Sequence, residues 1–316
     1  MNVSQVKDAG SRIMDQVEAA IVGKRAVLEK VLLAVLCDGH VLIEDYPGLA
    51  KTLMAKSFAA ALGCLFKRVQ FTPDLLPADI TGTYIFDRKA SEFILRRGPV
   101  FTNVLLADEI NRAPPKTQAA LLEAMQERQT TLEGETHALP RPFLVLATQN
   151  PIEYEGTYPL PEAQVDRFLM RIDIGYPTRE QEKEVLDRRR QRKEDDVRIA
   201  AVSDPEGVLA LQAAVEEVHV DDDVERYIVE IVARTREHPQ VEVGASPRGS
   251  LALMKLGRAQ AALRGRDYVV PDDVKGVAAE ALAHRILLKP DPWIKGVRTT
   301  SVVREVLAAV PVPKVE

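Results

Sequence analysis

Five short apolar runs, set between stretches of helical periodicity and turns, constrain this chain more than any other feature. They are Val41-Leu42-Ile43 and the runs within residues 66–71, 104–107, 143–147 and 169–174. A strand covered on both faces needs apolar side chains at successive positions, and such strands belong to parallel sheets clothed by helices. Residues 4–18 and 24–37 carry apolar residues at helical spacing. In the second stretch Val27, Val31 and Val35 form one row and Leu28, Leu32 and Leu36 the next. The expected core is an α/β layer with a five-stranded parallel sheet.

Two segments break the alternation. Residues 71–99 hold turn signals (Thr72-Pro73-Asp74, Thr81-Gly82) around short pieces such as Glu92-Phe93-Ile94-Leu95. Residues 128–140 read as a hairpin with Glu133-Gly134-Glu135 at its tip. Both are expected to be β-hairpins inserted into the core. Beyond Tyr176-Pro177 no strand run of comparable strength occurs. Helical patterns over residues 178–190, 205–218, 224–236, 250–263 and 271–282 predict an all-helical second domain. The expected domains are residues 1–177 and 178–316, with residues 310–316 loosely held.

The net charge of -5 argues against a nucleic-acid coat or a polybasic membrane binder. The basic string at residues 188–193 runs straight into Glu194-Asp195-Asp196 and reads as a solvated helix end. Cys37 and Cys64 sit in apolar helical patterns and suit free thiols in a reducing compartment, so a cytoplasmic location is expected. No apolar stretch approaches the roughly 20 residues of a membrane span. The five histidines show no metal-ligand spacing.

Chemistry concentrates after the first run, in Glu44-Asp45-Tyr46-Pro47-Gly48-Leu49-Ala50-Lys51-Thr52, which opens an apolar helical stretch from Leu53. A loop between strand and helix presents N–H groups to an anion. A lysine there reaches the β- and γ-phosphates of a nucleotide, and a Ser or Thr hydroxyl completes the shell of Mg²⁺. The match to G-x-x-x-x-G-K-[ST] is imperfect, because Asp45 and Ala50 stand where that motif has glycine.

A second signal is Val104-Leu105-Leu106-Ala107 ending in Asp108-Glu109. The C-terminal end of a buried parallel strand faces the crevice where α/β sheets bind ligands. Asp108 can hold Mg²⁺ through water, and Glu109 can deprotonate an attacking water. Helix capping by an acidic pair is the bland alternative. The next run ends Ala147-Thr148-Gln149-Asn150, where Asn150 could position water or simply form a turn before Pro151.

These segments closely resemble the MoxR family of AAA+ ATPases. The resemblance rests on Pro47-Gly48-Leu49-Ala50-Lys51-Thr52, Leu106-Ala107-Asp108-Glu109-Ile110-Asn111-Arg112-Ala113-Pro114-Pro115-Lys116 and Ala147-Thr148-Gln149-Asn150-Pro151. It continues through residues 155–164, Asp166-Arg167-Phe168 and Ser246-Pro247-Arg248, nearly the whole chain. The departures at Asp45 and Ala50 look usual for this family.

The resemblance implies an AAA+ P-loop core with hairpin inserts and a helical lid. It implies ATP and Mg²⁺ held by Val22, Gly23, Asp45, Tyr46, Pro47, Gly48, Leu49, Ala50, Lys51, Thr52, Leu53 and Asp108, with Thr52 and Asp108 on the metal. Val22 and Gly23 match the segment that touches adenine. Asn150 matches sensor 1, Arg167 the arginine finger and Arg248 the sensor-2 arginine. Members are similar to ring-forming chaperones, often hexameric. Frequent partners carry a von Willebrand factor A domain, and some systems involve metal-cofactor insertion.

Without the resemblance Arg167 reads as a surface salt-bridge residue. Arg248 follows Pro247 at a helix start, against the helix dipole, which favours a phosphate or interface role. Arg112 and Lys116 could face an adjacent subunit or be ordinary surface charge. Three readings compete: an ATP-driven chaperone acting on a protein client, a nucleic-acid motor, and an ATP-switched scaffold with little turnover. The motor would want cations at the hairpin tips, but one tip is Glu133-Gly134-Glu135, so nucleic acid is not the expected partner. The scaffold would lack Glu109, Asn150 or Arg167.

Overall fold

The computed structural model describes residues 1–46, 48–89, 91–150 and 156–313. Pro47, Pro151 and Glu155 of the motifs above lie outside them. The five apolar runs become β1 (Val41–Glu44), β2 (Phe66–Gln70), β5 (Val104–Asp108), β8 (Leu144–Gln149) and β9 (Met170–Ile172). Among the described residues these form one parallel sheet in the order β2-β5-β8-β1-β9. Successive side chains of a strand point to opposite faces. Val41, Ile43, Val104, Leu106, Leu144 and Leu146 accordingly enter one apolar core, and Leu42, Leu105, Ala107, Val145 and Ala147 the other. This double burial is why the runs are continuous in sequence.

Helices α1 (Val3–Ala20), α2 (Arg25–Leu36) and α3 (Lys51–Ala61) contribute to the first core. A capping box starts α1, with the Asn2 side chain accepting from Gln5 N and the Gln5 side chain accepting from Asn2 N. The second core is covered by α4 (Pro77–Thr81) and α5 (Pro115–Glu127). The two expected hairpins are present as β3 (Gly82–Asp87) with β4 (Glu92–Arg97), and β6 (Gln129–Leu132) with β7 (Glu135–Ala138). Glu133 and Gly134 both take positive φ, as a two-residue hairpin turn requires. The hairpins meet where Tyr84 Oη donates to Glu135 Oε2 at 2.7 Å.

A short α6 (Glu162–Val165) precedes β9, and the remainder is mainly helical. It comprises α7 (Arg179–Arg192), α8 (Pro205–Glu216), α9 (Asp222–Glu237), α10 (Pro247–Leu263), α11 (Pro271–Lys275), α12 (Ala278–Leu282), α13 (Pro290–Ile294) and α14 (Thr299–Ala309). It is not all-helical: β10 (Val241–Val243) pairs antiparallel with β11 (Leu287–Leu288). Strands this short carry no readable alternation. Residues 271–282 divide into two helices around Gly276. Val310, expected in a loose tail, is 4% exposed and packs in the first core.

Helices α8 and α10 pack on α1 and α2, so the first core runs on into the C-terminal part. Cys37 and Cys64 are free thiols. Among the described residues no helix is long and apolar enough to cross a membrane.

Candidate functional site

The loop after β1 and the ends of β2, β5 and β8 enclose an open cleft of about 440 Å³. Asp45, Gly48, Leu49, Ala50, Lys51, Thr52 and Leu53 line one side, and Asp108, Glu109 and Asn150 the other. These residues lie on strands that are neighbours in the sheet and distant in sequence. An adjoining apolar cleft of about 240 Å³ shares Gly48, Leu49, Ala50 and Leu53 and adds Ile21, Val22, Met54, Ile174 and Val185. Val22 therefore lines the site. Gly23 does not; its carbonyl accepts from Gln181 Nε2 at 3.0 Å, tying α7 to the turn before α2.

The two departures from the glycine motif have local explanations. Ala50 holds φ 55° and ψ 22° at the start of α3, the left-handed geometry that glycine adopts without penalty. For alanine it costs roughly 1–2 kcal/mol. Asp45 is 4% exposed, and its Oδ2 accepts from the N–H groups of Ile174 and Gly175, both at 2.6 Å. From the other side Lys24 Nζ donates to the carbonyls of Ile174, Gly175 and Tyr176 at 3.0, 2.9 and 2.9 Å. The rings of Tyr46 and Tyr176 stack with centroids 5.5 Å apart. Asp45 thus fastens the phosphate-type loop to the chain leaving β9, and Tyr46 serves that clamp and does not line either cleft.

Lys51 Nζ donates to Asp45 O at 2.6 Å. Its pKa is pushed down by burial, and the nearby carboxylates of Asp45, Asp108 and Glu109 oppose that shift. Thr148, 1% exposed, joins the acidic pair: its Oγ1 donates to Asp108 Oδ1 at 2.6 Å and accepts from Glu109 N at 2.8 Å. Glu109 is itself left-handed, with φ 56°. Arg68 donates from Nε and Nη2 to Asp108 Oδ2 at 3.1 and 2.6 Å. Gln70 donates to Glu109 Oε2 at 2.6 Å, and Arg112 Nε lies 3.2 Å from the same oxygen.

Thr148, Arg68 and Gln70 were not among the expected site residues. Thr148 stood in plain view two positions before Asn150. Arg68 and Gln70 were signalled by polar residues at alternate positions of β2, which is partly exposed and forms one edge of the sheet. Arg112, a candidate for facing a neighbouring subunit, lies against Glu109 of its own chain, while Lys116 is exposed.

Arg167 and Arg248 are not in this cleft. They line a separate cleft of about 290 Å³ with Gly39, His40 and Leu169, at the ends where β1 and β9 begin. β1, four residues long, spans about 10 Å at roughly 3.3 Å per residue and separates this edge from the Lys51 loop. Arg167 Nη1 donates to Leu122 O at 3.1 Å, and Arg248 Nε lies 3.9 Å from Asp166 Oδ2. The second cleft is rich in cations, including Arg128, Lys255 and Arg285.

Among the described residues no group of three or more His, Cys, Asp or Glu side chains is placed to hold a metal by itself. The donor set of the first cleft does suit a polyphosphate with Mg²⁺: a lysine, the N-terminus of α3, the Thr52 hydroxyl and the Asp108 carboxylate. Asp108 already draws the Arg68 guanidinium, so positive charge is favoured at that position.

Known proteins resemble this chain over nearly its whole length. Residues 40–170 match the ATPase family associated with various cellular activities (AAA), and residues 233–306 match the AAA lid domain. The chain is 49% identical to protein YeaC of Bacillus subtilis over 96% of this chain and 94% of that one. It is 45% identical to chaperone MoxR1 of Mycobacterium tuberculosis, over 96% of this chain and 82% of that one. A crystal structure from Cytophaga hutchinsonii superposes with a TM-score of 0.93 at 40% identity, covering 99% of this chain and 97% of that chain. With the fold, the cleft and these likenesses in agreement, the chain belongs to the MoxR family of AAA+ ATPases.

Proposed function

We propose that this protein hydrolyses ATP to ADP and phosphate and uses the cycle to assemble or activate a partner protein, working in the cytoplasm as a hexameric ring. The observation that carries the reading is the meeting of Lys51 and Thr52 with Asp108 and Glu109 in one cleft, adjoining an apolar cleft of about 240 Å³. Residues 1–177 would form the nucleotide-binding unit and residues 178–316 the lid.

In this reading the N–H groups at the start of α3 and Lys51 Nζ bind the phosphates, and Val22 and Leu53 flank the base. Thr52 and Asp108 would hold Mg²⁺, Asp108 through water, and the metal when bound would neutralise charge on the β- and γ-phosphates. Glu109 takes the proton of the attacking water, and Asn150 orients that water. For the carboxylates to act, Arg68 has to leave Asp108, and Gln70 and Arg112 have to release Glu109. Arg167, at the opposite end of β1 from its own Lys51, serves the site of the next subunit, where an arginine finger contributes about 10³–10⁵ in rate. Arg248, in the same cleft, acts across the same interface.

The client reading draws on the chaperone MoxR1 likeness and on the family resemblance, which points to a client with a von Willebrand factor A domain or to metal-cofactor insertion. The catalytic reading is tested with two variants. Lys51→Ala should lose ATP binding, and Glu109→Gln should retain it while turnover falls by about 10²–10⁴. Hydrolysis by Glu109→Gln at the parental rate would remove Glu109 from the role of base.

A further inference from the structure

We propose that Arg285 is a positioning residue that fixes Arg167 to the C-terminal helical part, so that the finger offered to the next subunit moves with this subunit's lid. The inference rests on the reading of Arg167 as a residue acting on a neighbouring site.

Arg285 follows α12, far along the chain from the turn between α6 and β9 that carries Arg167. Its side chain is only 3% exposed, and its Nε lies 2.9 Å from Asp166 Oδ1. Nη2 donates to the carbonyls of Phe168 at 2.8 Å and Asp166 at 3.2 Å, and Nη1 reaches that of Leu169 at 3.4 Å. Nη1 also donates to the Ala281 carbonyl at the end of its own segment. One buried guanidinium therefore gathers the backbone on both sides of Arg167.

The Asp166 carboxylate completes the link. It accepts from Ser246 Oγ at 3.0 and 3.3 Å, and Ser246 is the N-cap of α10, two residues before Arg248. Arg248 Nε stands 3.9 Å from the same carboxylate. Asp166 thus ties the turn carrying Arg167 to both the start of α10 and Arg285.

Arg167 does little to hold itself. Among the described residues its side chain makes one hydrogen bond, to Leu122 O, and its Nε is buried without a partner. The direction of its guanidinium is therefore set by the backbone at residues 166–168, which Arg285 and Asp166 grip. A buried ion pair serving only stability could be exchanged for apolar side chains with no effect on turnover. A strut that aims a catalytic arginine could not, because a misplacement of about 1 Å can lower a rate by roughly 10²-fold.

The test uses Arg285→Met, Arg285→Lys and Asp166→Asn in the full-length oligomer. Melting, oligomeric state and affinity for a fluorescent ATP analogue are measured beside steady-state hydrolysis. We expect Arg285→Met to assemble and bind nucleotide like the parent while kcat falls roughly 10- to 100-fold at unchanged KM. Arg285→Lys, which keeps the charge opposite Asp166, should recover part of that loss. Mixing with Lys51→Ala subunits, whose Arg167 is intact, should restore turnover to Arg285→Met, whereas mixing with Arg167→Ala subunits should not.

Asp166→Asn should show the same pattern and decides the matter if Arg285→Met does not fold. Parental kcat in a folded variant would overturn the inference. So would failure of Lys51→Ala subunits to restore a variant's turnover while they do restore Arg167→Ala. If Arg167→Ala is itself not restored in mixed oligomers, it is the reading of Arg167 as acting across the interface that falls.

Discussion

Thr148→Val is the most economical probe of how the acidic pair is built. The substitution keeps the shape of a side chain that is 1% exposed and removes its hydroxyl. Two bonds go with it: the 2.6 Å donation to Asp108 Oδ1 and the 2.8 Å acceptance from Glu109 N. A bond to a charged group is worth about 1.5–3 kcal/mol and a neutral one about 0.5–1.5, an upper range of roughly 2–4.5 kcal/mol together. Asp108 keeps Arg68 and is 15% exposed, so part of its loss is recovered from that guanidinium and from water. The expected destabilisation is therefore near the lower bound, about 2 kcal/mol.

Turnover should suffer more. Glu109 is held at φ 56°, a conformation costing roughly 1–2 kcal/mol, and the bond from its N–H to Thr148 is what offsets that cost. Freed of it, the backbone can relax and swing the carboxylate away from the cleft, with a loss of about 10²-fold in kcat. Denaturant unfolding and steady-state ATPase measurements, with Thr148→Ser as the control that restores the hydroxyl, check both numbers. If the Val and Ser variants match each other and the parent in stability and kcat, Thr148 does not hold the pair and the reasoning is wrong.

Three further outcomes follow from the same geometry. Asp45→Asn sets an amide N–H either against the Ile174 and Gly175 N–H groups, which share one carboxylate oxygen, or against the Tyr46 N–H on the other oxygen, and should lower stability by about 1–3 kcal/mol in denaturant titration, an unchanged midpoint refuting the clamp. Ala50→Gly should preserve binding of a fluorescent ATP analogue, because glycine takes the left-handed position freely, whereas the β-branched Ala50→Val should abolish it in a folded chain. His40 is pushed down to about 3 by burial and then by Arg128, the bond to Met125 O opposing, and His284 is pushed well below 6.5 by burial, Arg285 and Arg171. Unfolded histidine takes a proton near 6.5 and these folded ones do not, so their contribution is complete above that pH and declines as pH falls below it, for His40 down to about 3. The decline is about 1.4 kcal/mol per pH unit for each, and His40→Gln should remove about one proton from the pH slope of unfolding.

Much of the fold was legible in the sequence because burial on both faces of a parallel sheet leaves apolar residues at consecutive positions. Val41-Leu42-Ile43 and Val104-Leu105-Leu106-Ala107 could hardly be anything else. The hairpins announced themselves through Glu133-Gly134 and the turn residues around Thr72 and Gly82. The pairing of β10 with β11 was illegible, since strands of three and two residues are selected by their partner across space and carry no period of their own. The loop around Lys51 and the carboxylates at Asp108 and Glu109 were readable for a related reason: each is a local string whose chemistry depends on residue type and a strand or helix end.

What only the tertiary structure decided are the partners those strings acquire. Arg68, Gln70 and Thr148 reach the acidic pair because β2 and β8 flank β5, an adjacency that no local pattern encodes. Asp45 looks like a defective glycine in the linear motif and becomes a clamp only when the chain after β9 passes within 2.6 Å of it. Arg285 reads as an unremarkable cation until folding buries it beside Asp166. The physical reason is common to all of them. Periodicity and turn chemistry are set by neighbours along the chain, whereas a buried charge finds its counter-charge wherever the packing of distant segments brings one within hydrogen-bonding distance.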